Sequence, residues 1–128
     1  LELGAVNMTP GGTFAHHVVV SIKRPAENER RNVILALLSL GIGLKQVVIV
    51  DDDIDPFDPM QVDWAMATRF QADKDAIIIP NIACSTLDPS CPEARVTAGL
   101  GIDATAPMKD RWRFEKVEIP GVDKVKYL

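Results

Sequence analysis

Hydrophobic positions along this chain fall into two kinds of run. Val47-Val48-Ile49-Val50 and Ala76-Ile77-Ile78-Ile79-Pro80 are unbroken and β-branched, the mark of strands covered on both faces. Residues 14–22 are rich in β-branched residues and read as a mostly buried strand, with His16-His17 near its start and Lys23-Arg24-Pro25 stopping it. A half-apolar stretch over residues 3–8 ends at Thr9-Pro10-Gly11-Gly12 and reads as strand, then turn. The second kind of run has helical period. After Pro25 an acidic first turn leads into Val33, Ile34, Leu37 and Leu38, one apolar stripe that Gly41 and Gly43 end. A second helix over residues 60–70 starts from Asp58 as N-cap and Pro59 as first helical residue, with Val62, Ala65, Met66 and Phe70 on its apolar side.

These elements predict an α/β fold, a three-layer α/β/α domain with a mixed, largely buried central sheet and β-α-β units. Residues 47–80 read as one such unit, for which a right-handed crossover is the default. Residues 81–108 carry several Pro and Gly with little periodicity and read mainly as loop. Residues 112–119 read as a final edge strand.

The length of 128 residues is that of one compact domain, residues 1–128. A formal charge of −4 leaves no basic field for a phosphate backbone, so nucleic acid is excluded as a partner. No apolar run approaches the roughly 20 residues of a membrane span. The start has no secretion leader and no initiator Met, which leads us to expect a chain cut from a longer one in a cytoplasmic setting. Two cysteines, Cys84 and Cys91, are too few for a disulfide framework and lie outside zinc-ligand spacing; buried or incidental thiols are expected.

Five carboxylates, Asp51, Asp52, Asp53, Asp55 and Asp58, crowd eight positions after a buried strand. Such density needs a cation, a helix N-terminus or Arg/Lys partners. A divalent metal on Asp51, Asp53 and Asp55 is one reading. The other is that Asp58 caps a helix, some of the carboxylates take backbone N–H groups and the rest face water. His16 and His17 point to opposite faces of a strand, so only one of them can line a given pocket. Asn7-Met8-Thr9 matches a glycosylation sequon, of little weight without a secretion signal. Dinucleotide, Walker A, nucleophile-elbow and H-E-x-x-H motifs are all absent, so the chain shows no complete active site of its own.

Pro10-Gly11-Gly12, Val18 to Lys23, Asn32-Val33-Ile34-Leu35-Ala36, Val47 through Asp55, Trp64-Ala65-Met66-Ala67-Thr68-Arg69, Leu87-Asp88-Pro89-Ser90 and Gly101-Ile102-Asp103-Ala104-Thr105 occur in an order that resembles the C-terminal domain of UbiD-type decarboxylases. The resemblance runs from about Val6 to Gly121. It implies a non-oxidative, reversible carboxy-lyase of aromatic, heteroaromatic or α,β-unsaturated acids. It implies prenylated FMN, a divalent metal (Mn or Mg) and potassium on a central flavin-binding domain, with the N-terminal and central domains absent from this chain. No catalytic, cofactor or metal residue is then expected here. The domain would line the substrate side of the cleft through His16, Val18, Phe57 and Pro59, take part in a homo-oligomer, and be inactive alone. The alternative is a non-catalytic small subunit or oligomerisation module that pairs with a separate catalytic chain.

Overall fold

A computed structural model of the chain describes residues 2–23, 27–107, 109 and 111–115. Its elements run β1 (Glu2–Met8), β2 (His17–Lys23), α1 (Glu27–Leu38), β3 (Gln46–Asp51), α2 (Pro59–Thr68), α3 (Ala72–Asp75), β4 (Ala76–Ala83) and β5 (Val96–Ala104), then a 3-10 turn (Arg111–Phe114). One mixed sheet of five strands has the order β1-β2-β3-β5-β4. The three inner strands are parallel, and β1 and β4 run antiparallel at the edges.

The period-two geometry of strands explains the layering. Val18, Val20, Ile22, Val47 and Ile49 point to one face and meet Val33, Ile34 and Leu38 of α1. Val19, Val48 and Val50 point to the other and meet Ile54, Val62 and Ala65. The β-branched run at residues 47–50 is therefore buried on both sides, at the centre of three layers.

Three expectations are corrected. Residues 47–80 are not a β-α-β unit: β5 is inserted between β3 and β4, and β4 runs against it. The parallel pair joined by a helix is β2-α1-β3. Residues 96–104, read as loop, form the inner strand β5. Its glycines are a packing device: a side chain at Gly101 would collide with Ile34, and one at Gly99 would lie 3.0 Å from Leu38 Cδ2. They let α1 close onto the sheet. The final strand is also absent at its start, where residues 111–114 make the 3-10 turn; residues 116–119 lie outside the described residues.

Candidate functional site

The acidic run after β3 is a cation-centred clamp, and the cation is Arg69. Asp51, fully buried at the strand end, accepts from Ala106 N at 2.7 Å and from Arg69 Nη1 at 2.9 Å, both through Oδ2. Asp53 takes the same guanidinium in two bonds, from Nη1 at 2.8 Å and Nη2 at 2.9 Å. Arg69 Nε and Nη2 also donate to Phe114 O, at 3.1 and 2.6 Å, and the guanidinium lies 5.0 Å from the centroid of the Trp64 ring. Burial pushes the Asp51 carboxyl above its ordinary range, against the Ala106 N–H and the charges of Arg111 and Arg69. Burial works to lower Arg69, and Asp53 and Asp51 outweigh it, so the guanidinium stays charged above its ordinary value.

The remaining carboxylates build the turn into α2. Asp55 Oδ1 accepts from Phe57 N at 2.9 Å, and Asp58 caps the helix by accepting from Met60 N at 3.0 Å, with Pro59 in the first turn. Among the described residues no group of His, Cys, Asp and Glu is arranged to hold a metal ion. The signal for Arg69 was available in the sequence, since it is the first Lys or Arg after the acidic run.

The clamp also fixes which way α2 points. Its C-terminal end is tied to Asp51 at the C-terminal end of β3, so its ten residues, about 15 Å of helix, reach back toward the other end of the strands. There Asn7 Nδ2 donates to Pro56 O at 2.9 Å, and Asn7 pairs with Val19 near the start of β2. Phe57 and Pro59 thus lie toward the same end of the sheet as His16, though the clamp is at the opposite end. Val18 does not join them on the surface: it is 1% exposed and packs in the core on the α1 side. His16 is half-buried, and its Nδ1 donates to Gly43 O at 3.0 Å, which leaves Nε2 as the acceptor of the neutral ring. His17 Nδ1 bonds Thr9 Oγ1 at 3.1 Å, and burial lowers its pKa.

This N-terminal rim of the parallel strands carries unusual backbone. Among the described residues, the non-glycine positions in the left-handed region are Thr13 and Phe14 (both φ 58°), Asn81 (62°) and Arg95 (61°). The first two are in the turn before β2, Asn81 is in the last part of β4, and Arg95 immediately precedes β5. A β-branched and an aromatic residue rarely adopt this conformation, and such strain concentrates at functional surfaces. Exposed apolar side chains are on the same rim. Phe14 is 67% exposed and Leu87 78%, with Leu40 and Ile42 beside the start of β3.

Sequence reasoning missed two further rim features. Cys84 and Cys91, read as separate thiols, come together as a disulfide with Cα atoms 6.2 Å apart. Between them Asp88 accepts from Lys45 Nζ at 2.7 Å and from Ser90 N and Oγ at 2.9 and 2.8 Å. Lys45 and Ser90 hold the Asp88 carboxyl down to about 2, below an ordinary 3.8. Because the folded value is below the unfolded one, the stability this carboxylate contributes is present above pH 3.8 and is lost as pH falls through about 2. Urea unfolding followed between pH 5 and pH 2, about the span in which such a group titrates, checks this. The wild-type midpoint is expected to fall further over that range than that of Asp88→Asn, and equal slopes would refute it.

A cavity of about 510 Å³ opens at the opposite end, beside the clamp, with Arg30, Arg69, Lys74, Asp75 and Asp103 in its wall. Arg30 Nη2 is held there by Ala106 O at 3.0 Å and Asp103 by the Thr105 N–H at 3.0 Å. Among the described residues no helix is long and apolar enough to cross a membrane.

Residues 1–104 match the family model described as the 3-octaprenyl-4-hydroxybenzoate carboxy-lyase C-terminal domain. An anhydromevalonate phosphate decarboxylase from Aeropyrum pernix is 45% identical over 117 residues, which is 91% of this chain and 26% of that protein. The UbiD-class enzyme HmfF from Pelotomaculum thermopropionicum, solved in complex with FMN, superposes with a TM-score of 0.85 at 42% identity, covering 97% of this chain and 28% of that one. An evolved dimeric form of the same enzyme in complex with prFMN superposes at 0.72 with 36% identity, covering 97% and 25%. The chain therefore spans about a quarter of the length of the curated relatives it matches.

Proposed function

Because this chain belongs to the UbiD C-terminal-domain family, we propose that it forms one wall of the substrate cleft in a larger carboxy-lyase. The observation that carries this reading is the N-terminal rim. Left-handed Thr13 and Phe14 and the exposed side chains of Phe14, Leu40, Ile42 and Leu87 gather at one end of the sheet. Strained backbone and apolar surface together suit a face that is covered when the domain closes on its flavin-binding neighbour. Phe57, Pro59 and His16 are on or toward that face and would shape the choice of acid; Val18 would act through the packing of β2.

The flavin, with its divalent metal (Mn or Mg) and potassium, belongs in this reading to the central domain of the parent chain. Prenylated FMN supplies the bond-breaking chemistry of decarboxylation when bound. What this domain's residues add is exclusion of water and positioning of the substrate. The parent is read as a cytoplasmic homo-oligomer. The 45% match to an anhydromevalonate phosphate decarboxylase favours a phosphorylated acid of that kind over an aromatic one. Carbon dioxide release by the flavin-loaded parent enzyme, offered anhydromevalonate phosphate and a panel of aromatic acids in parallel, tests both levels. Turnover of the phosphorylated acid is expected. Turnover of aromatic acids alone would overturn the substrate assignment, and release from no acid would overturn the reading itself.

A further inference from the structure

We propose that the Cys84–Cys91 disulfide is a reversible clip that orders the loop of residues 84–91, so that the thiol–disulfide state of the protein sets the shape of this part of the rim. Its consequence for the cleft rests on the reading given above. The Cα separation of 6.2 Å lies inside the range of about 4.4–6.8 Å that a disulfide spans. Cys84 is fixed by its place directly after β4, where its N–H donates to Arg95 O at 3.2 Å. Cys91 has no strand to hold it, and its N–H reaches only the carbonyl of Asp88 within the same loop, at 3.1 Å. The disulfide ties that loose end to the sheet.

The loop touches what the rim is proposed to do. Leu87 projects from it, and Asp88 anchors it to Lys45 at the start of β3. Ser85 packs against Gly43 so closely that a side chain there would come within 3.1 Å of Ser85 Cβ, and Gly43 O is the acceptor for His16 Nδ1. One residue separates the clipped loop from the histidine that the sequence singled out. Together with Pro92, Glu93 and Arg95 the loop frames a crevice of about 280 Å³, and both cysteines are only partly buried, within reach of a small thiol.

The redox step balances with an external dithiol. A thiolate of dithiothreitol attacks one sulfur and the bond between Cys84 and Cys91 breaks. Two protein thiols form while the reagent closes to its cyclic disulfide, having given up two electrons and two protons; an oxidised dithiol reverses the exchange.

The test uses the flavin-loaded parent enzyme equilibrated with oxidised or reduced dithiothreitol. Alkylation followed by peptide mass should find Cys84 and Cys91 both protected in the oxidised sample and both modified in the reduced one. Amide hydrogen exchange over residues 85–91 should be about tenfold faster after reduction, and equally fast in either buffer for Cys84→Ser/Cys91→Ser. KM for the acid should rise severalfold with the faster exchange. Alkylation of both cysteines under oxidising conditions, or exchange rates that do not depend on redox state, would overturn the clip. Altered exchange with an unchanged KM would support the clip and count against the rim as the cleft wall.

Discussion

Replacing Arg69 with methionine is expected to lower folding stability by about 3–5 kcal/mol, the cost of breaking a buried ion pair from one side. Asp51 would remain at the end of β3 with the Ala106 N–H and the looser ion pair to Arg111, a partly exposed side chain whose Nη2 lies 3.6 Å from Oδ1, and would lose its close buried partner. The substitution also releases Phe114 O, so the turn Arg111–Phe114 loses its hydrogen bonds to the end of α2 and keeps the longer ion pair of Arg111 with Asp51. The sign of the pH dependence follows from burial. Asp51 titrates above the ordinary carboxylate value even with Arg69 present, and without it the carboxyl rises further. A carboxyl raised in the folded state binds its proton more tightly than the unfolded chain does, so stability is lost as pH rises through the raised value. The deficit of Arg69→Met should therefore be largest near neutrality and shrink as pH falls into the carboxylate range. Asp51→Asn in the same background should recover part of it, because the uncharged amide leaves no unpaired buried charge. Denaturant unfolding of the variants across pH measures all three; a deficit that is small and independent of pH would show that the clamp is not what holds this end of the sheet.

In the parent enzyme, Phe14→Asp is expected to lower kcat/KM by about 10²-fold, the scale of a misplaced substrate or an incompletely closed site. Phe14 is exposed in the domain and sits at a left-handed position that aspartate tolerates better than phenylalanine, so folding stability should not fall. A charge placed in an apolar junction instead opposes closure, because the carboxylate must be desolvated there without a partner. Flavin content should be unchanged and Phe14→Leu should restore most of the activity. Full activity in Phe14→Asp would remove the rim from the cleft. Loss of bound flavin together with activity would point to a fold defect elsewhere in the parent, which the unfolding temperature would register separately.

How far the sequence could be read depends on whether a residue's role is local. The β3 run Val47-Val48-Ile49-Val50 could be placed at the sheet centre because apolar side chains on both faces leave a strand no exposed side. Asp58 and Pro59 could be placed as cap and first turn because capping is decided within four residues. Strand β5 could not, because Gly99 and Gly101 read as loop residues until α1 is known to lie on them. Its neighbours in the sheet come from far along the chain, and no periodicity within it announces them. The candidate site divides in the same way. The family resemblance points to His16, Val18, Phe57 and Pro59; that His16, Phe57 and Pro59 share one end of the sheet follows from the direction of α2, which a contact between residues 18 positions apart determines.

By itself the sequence determined the strand runs that become β2, β3 and β4, which stripe of α1 is buried, where α2 begins, and that five carboxylates in eight positions require compensation. It also carried, through its motifs, the family to which the chain belongs. Only the tertiary structure decided what compensates those carboxylates, since a buried guanidinium and a bound cation answer the same local demand and differ only in what folds back onto Asp51. Only the tertiary structure brought Cys84 to Cys91 and gathered the strained residues on one rim. Each of these joins segments whose proximity is set by the order and direction of strands, and that order is fixed by long-range packing, which the local pattern of the chain does not encode.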